Sequence, residues 1–259
     1  MKFVANINSK LIDLVSQNLK ISKNKAKDII DQKRVFVNKR LIWIASYNLK
    51  PNDLVEIAPP KEKCKQYDII YEDENFIAVS KGPGFIVNNS PDSLENILRK
   101  KFGNSIKAIH RIDKDTTGIV LFAKNSEVFY KMKEKWNTVE KTYYCISINE
   151  AKFKFKEIDY PIGNKKAIST VILISKNNGL SLFKIRTFTG RKHQIRIHLK
   201  LIGFPILGDY VYGPSKTNFM ISRQMLHAYK IQFNYDNRNI SLISPIPEDM
   251  QKIIKENGL

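Results

Sequence analysis

The densest group of side chains that could do chemistry lies in residues 110–118, directly before the apolar run 119–122. At its centre is Asp113, which has Arg111 and Lys114 close along the chain and two threonines after it. Nearby cations and hydroxyl donors stabilise a carboxylate in its ionised form, which can act as a nucleophile or a base at neutral pH. A loop carboxylate that only forms a surface ion pair would have similar neighbours. The residue types alone therefore leave both interpretations of Asp113 open.

A second group of reactive side chains lies in residues 189–199, where Arg191, His193 and His198 follow the permissive Gly190. This pattern predicts the end of a strand that faces an anionic partner. Two histidines five residues apart, among cations and without carboxylates, are poor ligands for a divalent ion. The segment therefore predicts an anion-facing surface and no metal site.

The charge balance indicates that this partner is nucleic acid. The 259 residues include 44 Lys and Arg against 25 Asp and Glu, which gives a net charge of +19 and a pI near 9.7. A field of this sign and size attracts a polyanion. The chain also overuses Lys, Asn and Ile, as proteins from AT-rich genomes do, so codon usage is an alternative source of the charge.

The composition argues against several other classes of protein. No apolar run approaches the roughly 20 residues that span a bilayer, so no membrane partner is expected. The N-terminus lacks the apolar core of a secretory signal, which predicts a cytoplasmic location. Cys64 and Cys145 lie far apart and form no CxxC pair, so neither a disulfide framework nor a zinc site is expected. We expect the protein to be a monomer.

The first 58 residues predict a small module of two helices and short strands. An apolar stripe over 11–19 predicts the first helix, and Ser22 is placed to cap a second, basic helix. The runs 35–37 and 41–44 flank a tight turn and predict a hairpin.

Residues 59–66 begin with two consecutive prolines and are rich in charged residues. This composition predicts a linker that joins one domain at 1–58 to a second domain at 67–259. In the second domain, strand-like runs alternate irregularly with few helices, which favours an α+β fold over regular βαβ units. The predicted strands are 76–79, 119–122, 143–148, 171–174, 182–185 and 231–235. The predicted helices are 92–102, 126–136 with Ser126 as its N-cap, and 248–255.

The N-terminal module resembles the S4 RNA-binding domain. The resemblance rests on the Ser-capped basic helix, the strand motif at 34–38 and the closing turn at 49–53. Arg34 and Asn52 stand where the family prefers glycine, and Asn tolerates the left-handed backbone that such a position needs. The resemblance implies a phosphate-contacting face made of Ser22, Lys23, Lys25, Lys27, Lys33, Arg34 and Lys39. A solvated helix face is the alternative for each lysine.

The second domain resembles the RluA-type pseudouridine synthases. Residues 110–118 are similar to the family's H-R-L-D-x-x-T-S-G signature, and 189–199 and 203–209 are similar to its T-G-R-T-H-Q-I-R-x-H-L and G-x-P-I-x-G-D motifs. Residues 140–145 match its K-x-Y-x-A strand. Lys192 stands where Thr or Ser is usual.

This resemblance implies a fold and a set of roles. It implies a mixed, mainly antiparallel sheet flanked by helices, and an isomerase that needs no cofactor and no metal. Asp113 would be the nucleophile, Arg196 its ion-pair partner, and Tyr143 the ring that stacks on the target base and assists a proton transfer. Arg111 would fill the gap left by the flipped-out nucleotide. The implied substrate-binding residues are His110, Arg111, Thr117, Arg191, His193, Gln194 and Ile195.

The resemblance also implies the substrate, since S4-fused members of the family generally act on large-subunit ribosomal RNA. Transfer RNA is the alternative substrate. The rival from another class is a non-catalytic RNA-binding factor that assists ribosome assembly, and the presence of Asp113, Tyr143 and Arg196 argues against it. A metal-dependent nuclease is disfavoured because no clustered carboxylates occur in the sequence.

Overall fold

The computed structural model describes residues 1–32, 34–58, 67–214 and 221–259. Two compact units can be separated, Met1–Cys64 and Lys65–Leu259. The predicted linker at 59–66 lies outside the described residues, and so does Lys33. Within the described ranges, no helix is long and apolar enough to cross a membrane.

The N-terminal unit packs two helices against a small antiparallel sheet. Its elements are β1 (Lys2–Val4), β2 (Ser9–Lys10), α1 (Leu11–Leu19), α2 (Lys23–Asp31), β3 (Val35–Val37), β4 (Arg40–Leu41), β5 (Asn48–Leu49) and β6 (Leu54–Ile57). The main sheet has the order β1-β6-β3-β4, and β2 pairs with β5. Apolar residues of α1 and α2 form one core with β3 and β6, namely Leu11, Val15, Ala26, Ile30, Val35, Val37, Val55 and Ile57.

Two local predictions in this unit are confirmed and one is wrong. Ser22 caps α2, since its Oγ accepts a hydrogen bond from the Lys25 amide at 3.3 Å. The hairpin turns through Asn38 and Lys39, whose φ angles of 49° and 65° are left-handed, as a two-residue turn requires. The predicted strand 41–44 ends after its first residue. The Ile42 amide still donates to the Val35 carbonyl at 2.9 Å, but Val35 is the first residue of β3, so the pairing goes no further.

The second unit is built on a ten-stranded mixed sheet within the described residues. Its strands are β7 (Tyr67–Glu72), β8 (Phe76–Lys81), β9 (Lys107–Ala108), β10 (Thr117–Ala123), β11 (Glu140–Ile148), β12 (Phe155–Ile158), β13 (Ser169–Asn177), β14 (Leu180–Thr187), β15 (Leu226–Tyr235) and β16 (Arg238–Ile243). The strand order is β12-β13-β14-β11-β15-β10-β8-β7, with β16 beside β15 and β9 beside β10. Only β10 and β15 pair in parallel among these strands. The α+β prediction is confirmed.

In the described part of this unit, four helices accompany the sheet: α3 (Leu94–Phe102), α4 (Ser126–Glu134), α5 (Gln194–Leu201) and α6 (Glu248–Asn257), and a short 3-10 turn covers Trp136–Thr138. The predicted N-cap of α4 is wrong by one residue, because Asn125 Oδ1 accepts from the Val128 amide at 2.9 Å. Helix α5 replaces the predicted strand end. Its buried Ile195 and Leu199 are four residues apart and fix one helical face in the core.

Strand β10 is buried on both faces, which explains its unbroken apolar run. Ile119, Leu121 and Ala123 pack into one core cluster, while Val120 and Phe122 pack into a second cluster. A strand enclosed in this way has little freedom to shift. It therefore gives the preceding loop, which contains Asp113, a rigid base.

The parallel contact between β10 and β15 requires a glycine. Gly118 pairs with Ala228 and has a φ of +113°, and a Cβ atom added there would lie 2.1 Å from the Ala228 carbonyl oxygen. Both the left-handed backbone and the close approach therefore exclude a side chain.

We expect Gly118→Ala to destabilise the fold by at least about 2 kcal/mol more than Gly103→Ala, because only the first change forces two strands apart. Gly103 is a matched control, with a φ of +106° and open space around the added Cβ. Urea denaturation of both variants gives the two free energies of unfolding. Equal losses would mean that backbone strain alone, and not the strand contact, excludes a side chain at position 118.

Candidate active site

The centre of the site is the buried guanidinium of Arg196 on α5, whose side chain is 7% exposed. Nε and Nη2 donate to the two carboxylate oxygens of Asp209 at 2.7 and 2.9 Å. Nη1 donates to Asp113 Oδ2 at 2.8 Å. One arginine therefore binds two carboxylates, with the paired fork on Asp209 and a single hydrogen bond on Asp113.

Asp209 is the residue that fixes this arginine, and its role was missed in the sequence. Its carboxylate is fully buried and also accepts the amides of Val211 and Tyr212 at 3.0 and 3.1 Å. Burial alone would raise the pKa of Asp209, but the hydrogen bonds and charge of Arg196, helped by these amides, bring the pKa below its ordinary value. The available signal was an Asp in an otherwise apolar turn, which needs a cationic partner when buried.

Arg196 stays charged in this environment. Burial lowers its pKa, yet the hydrogen bond and charge of Asp209, followed by those of Asp113, raise the pKa above that of a free guanidinium. Because Asp209 already balances the charge of Arg196, the carboxylate of Asp113 leaves the group of three with a net negative charge.

Asp113 lies on the loop between β9 and β10 and is 26% exposed. Its carbonyl accepts the Thr116 amide at 3.1 Å, which closes a turn. The next carbonyl, of Lys114, accepts from the Gly84 amide and from the buried Lys81 ammonium, both at 2.9 Å. The loop that presents Asp113 is therefore held from its own turn and from the end of β8.

A pocket of about 90 Å³ opens in front of Asp113. Its lining residues are Arg111, Ile112, Asp113, Thr116, Tyr143, Thr187, Thr189, Gly190, Arg191, His193, Gln194, Ile195, Arg196 and Leu226. The structure thus brings together eight of the predicted site residues, from the loop before β10, from β11 and from the start of α5.

Tyr143 reaches this pocket from β11. The pairing of β11 with β15 shifts register between Thr142 and Tyr143, and such a bulge re-aims the side chains that follow it. Burial, and then the negative charge of Asp113, raise the pKa of Tyr143 well above its ordinary value. The phenol therefore stays protonated at neutral pH and can donate a proton or a hydrogen bond. Tyr144, the next residue, packs its ring on Tyr229 at 4.9 Å instead.

His193 is the N-cap residue of α5 and has a left-handed conformation, with a φ of 56°. Its Nε2 lies 3.8 Å from Asp113 Oδ1, and its Nδ1 lies 3.0 Å from the Tyr212 hydroxyl. Burial lowers the pKa of His193, and the negative charge of Asp113 only partly offsets this, so the ring is neutral at pH 7. His193 can therefore exchange hydrogen bonds in the pocket, while Arg196 supplies the positive charge.

Gln194 shapes the wall between these groups. Its Oε1 accepts from the Thr189 hydroxyl at 2.9 Å and from the Arg191 amide at 3.0 Å. Its Nε2 donates to the Ile168 carbonyl at 2.9 Å and to the Ser169 hydroxyl oxygen at 3.0 Å. A buried amide with these partners is fully used within the protein. Gln194 can therefore contact a substrate only through the part of the pocket wall that its side chain forms.

Two predicted substrate-binding residues, His110 and Thr117, do not line the pocket. His110 is buried and stacks on Trp136 at 4.6 Å, and its Nε2 accepts the Leu121 amide at 3.1 Å. Burial, followed by the charges of Lys141 and Lys133, lowers the pKa of His110 to about 3, so the ring is neutral.

Thr117 is likewise buried, and its hydroxyl lies 3.0 Å from His227 Nδ1. The opposite nitrogen, Nε2, lies 3.0 Å from the Ser244 carbonyl. Because a carbonyl only accepts, Nε2 donates, and Nδ1 accepts the hydroxyl proton of Thr117. Both Thr117 and His110 therefore support the loop that carries Asp113.

No three His, Cys, Asp or Glu side chains in the described part of the chain are grouped as metal ligands would be. In the N-terminal unit, the predicted S4 contacts at exposed positions are Ser22, Lys23, Lys25, Lys27 and Lys39. Lys23 forms a surface ion pair with Asp13 at 2.7 Å, and Arg34 Nε donates to the Ala58 carbonyl at 3.1 Å. Asn52 has a φ of 71°, as expected where glycine was replaced.

Comparisons with known proteins agree with these features. The family model described as RNA pseudouridylate synthase matches residues 75–201, and the S4 domain model matches residues 10–55. An uncharacterized RNA pseudouridine synthase of Helicobacter pylori is 32% identical over 239 residues, covering 86% of this chain and 92% of the relative. Ribosomal large subunit pseudouridine synthase C of Rickettsia bellii is 32% identical over 225 residues, covering 76% of this chain and 74% of the relative.

The fold is shared with a solved human structure, RNA Pseudouridylate Synthase Domain Containing 4. The two superpose with a TM-score of 0.62 at 20% identity, over 72% of this chain and 91% of the human chain. The two family models cover parts of both units, and every residue that lines the pocket except Leu226 lies within the range 75–201. The chain belongs to the RNA pseudouridine synthase family and carries an S4 domain before its catalytic domain.

Proposed function

We propose that this chain converts uridine to pseudouridine in large-subunit ribosomal RNA, with Asp113 as the nucleophile. The observation that carries the proposal is the position of Asp113 at the pocket, where one of its carboxylate oxygens accepts a hydrogen bond from Arg196 at 2.8 Å. A carboxylate held by one arginine hydrogen bond is fixed in direction and keeps its second oxygen available.

The reaction rearranges one nucleotide without adding or removing atoms. The bond between N1 of uracil and C1′ of ribose breaks, the base turns, and a bond forms between C5 and C1′. The proton leaves C5, and N1 gains one. Such an isomerisation needs an attacking group and a proton carrier, and Asp113 and the protonated phenol of Tyr143 are suited to these two tasks.

The target base must leave its stack to reach this pocket. Flipping exposes a gap in the RNA, and a side chain commonly fills it. Arg111 is exposed, lies two residues before Asp113 and lines the pocket. This position suits Arg111 to enter the gap while the uracil contacts Tyr143.

Two observations favour ribosomal RNA as the substrate. The Rickettsia bellii relative bears the name of a large-subunit ribosomal enzyme. The S4 domain and the net charge of +19 add sequence-independent attraction for a large folded RNA.

We expect Asp113→Asn to lower the rate of pseudouridine formation by about 10³-fold or more, because the amide is a far weaker nucleophile. Carbodiimide mapping of ribosomal and transfer RNA from cells that lack the gene, treated with each protein, measures the product and its position. Asp92→Asn, at an exposed position outside the pocket, is the control for charge. Unchanged product with the Asp113 variant would refute the nucleophile, and product confined to transfer RNA would refute the substrate.

Arg196→Lys should lower kcat by about 100-fold, because an ammonium cannot hold Asp209 with a fork and still orient Asp113. Arg223 is a matched control, since it is 2% exposed and binds Asp249 through a similar fork, with both distances 2.7 Å. Arg223→Lys should reduce the free energy of unfolding with kcat retained. Single-turnover kinetics and urea denaturation separate the two effects, and an equal loss of kcat in both variants would contradict the assigned role.

Tyr143→Phe should lower kcat by about 10²-fold while the affinity for RNA stays within about threefold, because the ring remains and only the hydroxyl is lost. Tyr144→Phe is the control, one residue away and outside the pocket. The rate of product formation and the Kd from filter binding provide the two readouts. A Tyr143→Phe variant as fast as the wild type would exclude proton transfer by the phenol.

A further inference from the structure

Two segments beside the pocket, residues 159–168 and 188–193, form a surface that we call the basic rim. Together they carry four cations and one carboxylate, namely Lys165, Lys166, Arg191, Lys192 and Asp159. The second segment is itself part of the pocket wall, since Thr189, Gly190, Arg191 and His193 line the pocket. The first segment borders it from outside.

The two segments of the basic rim are joined by side-chain hydrogen bonds. Arg191 Nε donates to the Lys166 carbonyl at 3.0 Å, and the Ile168 amide donates to Thr189 Oγ1 at 3.0 Å. Further along, His198 Nε2 lies 2.8 Å from the Tyr160 carbonyl. The charges of the basic rim are therefore attached to a preformed surface, which reduces the entropy lost on binding.

The four cations are exposed and have no carboxylate partner among the residues that the structure describes. Only the backbone of Lys166 takes part in joining the segments, so both lysine side chains stay available. Lys166 is tied to Arg191, which faces the pocket. Anions bound by the basic rim would therefore lie next to the target nucleotide.

The basic rim also presents aromatic rings to solvent. Phe188 is 52% exposed, although it lies between Thr187 and Thr189, which line the pocket. Its carbonyl accepts from the buried Lys141 ammonium at 2.9 Å, so the backbone under the ring is fixed. Tyr160 is 56% exposed. Exposed rings among unpaired cations are typical of surfaces that stack bases and bind the backbone of a single strand.

We propose that the basic rim binds the single-stranded RNA that adjoins the target uridine, with its cations on phosphates and Phe188 against a neighbouring base. The proposal rests on the proposed function, because a flipped nucleotide leaves its neighbours unpaired beside the pocket. Binding by the basic rim needs no turnover, so its failure can be told apart from a failure of Asp113 as the nucleophile.

The test is the binding of a fluorescein-labelled 12-nucleotide oligouridylate to the full chain at several salt concentrations, followed by fluorescence anisotropy. Each lost phosphate contact lowers the slope of log Kd against log salt by about 0.7 for a single strand. Lys165→Gln/Lys166→Gln should therefore lower the slope by about 1.4. Phe188→Ala should weaken binding by about fivefold or more without changing the slope.

Matched controls separate the basic rim from the general field of the protein. Lys100→Gln/Lys101→Gln removes the same charge from exposed neighbouring positions on α3, which should leave the slope unchanged. Phe155→Ala removes a 60% exposed phenylalanine at the far end of β12 and should leave the affinity unchanged.

Three results would overturn the proposal. The first is a wild-type slope for Lys165→Gln/Lys166→Gln, and the second is an equal decrease in the α3 control. The third is an equal loss of binding to a 12-base-pair RNA duplex, which would show that the basic rim recognises double-stranded RNA. A wild-type affinity for Phe188→Ala would contradict the proposed stacking of Phe188 on a base.

Discussion

The buried charge of Arg196 is the constraint on which the rest of the site depends. An unpaired guanidinium in the interior would cost several kcal/mol, so the chain must supply a carboxylate at the same depth. Asp209 does so with two hydrogen bonds, and its own burial is tolerated for the same reason. Because the guanidinium is planar and rigid, fixing one edge also fixes the direction of Nη1. Asp113 is therefore held at an angle that is set by a residue outside the pocket.

Three parts of the chain must converge for this arrangement to form: the loop before β10, helix α5 and the turn after residue 205. Strand β10 contributes rigidity, since all seven of its residues are buried. The loop is attached on the other side by Lys81, whose ammonium donates to the carbonyls of Gly82 and Lys114, each at 2.9 Å. Burial lowers the pKa of Lys81 to about 7, so the ammonium group that holds the loop is close to its titration point at neutral pH. The position of Asp113 thus depends on packing and hydrogen bonds from other segments as well as on the turn that its own loop forms.

The sequence predicted the elements and residues whose evidence is local. The apolar run 119–122 is a buried strand, and Ser22 is a helix cap, because both depend on near neighbours along the chain. Asp113, Tyr143 and Arg196 were identified from motifs and lie around one pocket. What could not be predicted depends on distant partners. Arg196 and Asp113 are 83 residues apart, and nothing beside His110 indicates that the ring of Trp136 covers it. Helix α5 was missed because charged residues and a histidine alternate with its apolar residues, so the helical spacing of the buried face was not recognised.

The distribution of charge around the pocket favours the base of a nucleotide inside and its phosphate outside. Asp113, Arg196 and Asp209 together leave one negative charge inside, since one cation faces two carboxylates. Around it, the basic rim presents the exposed Arg191, which lines the pocket, and the exposed Lys192 next to it in the chain. A phosphate is repelled by the interior and attracted by the basic rim, whereas a neutral uracil meets no such barrier. In the proposed reaction the base therefore enters and the backbone stays outside, so the excess of positive charge that draws RNA to the protein also orients the nucleotide for attack.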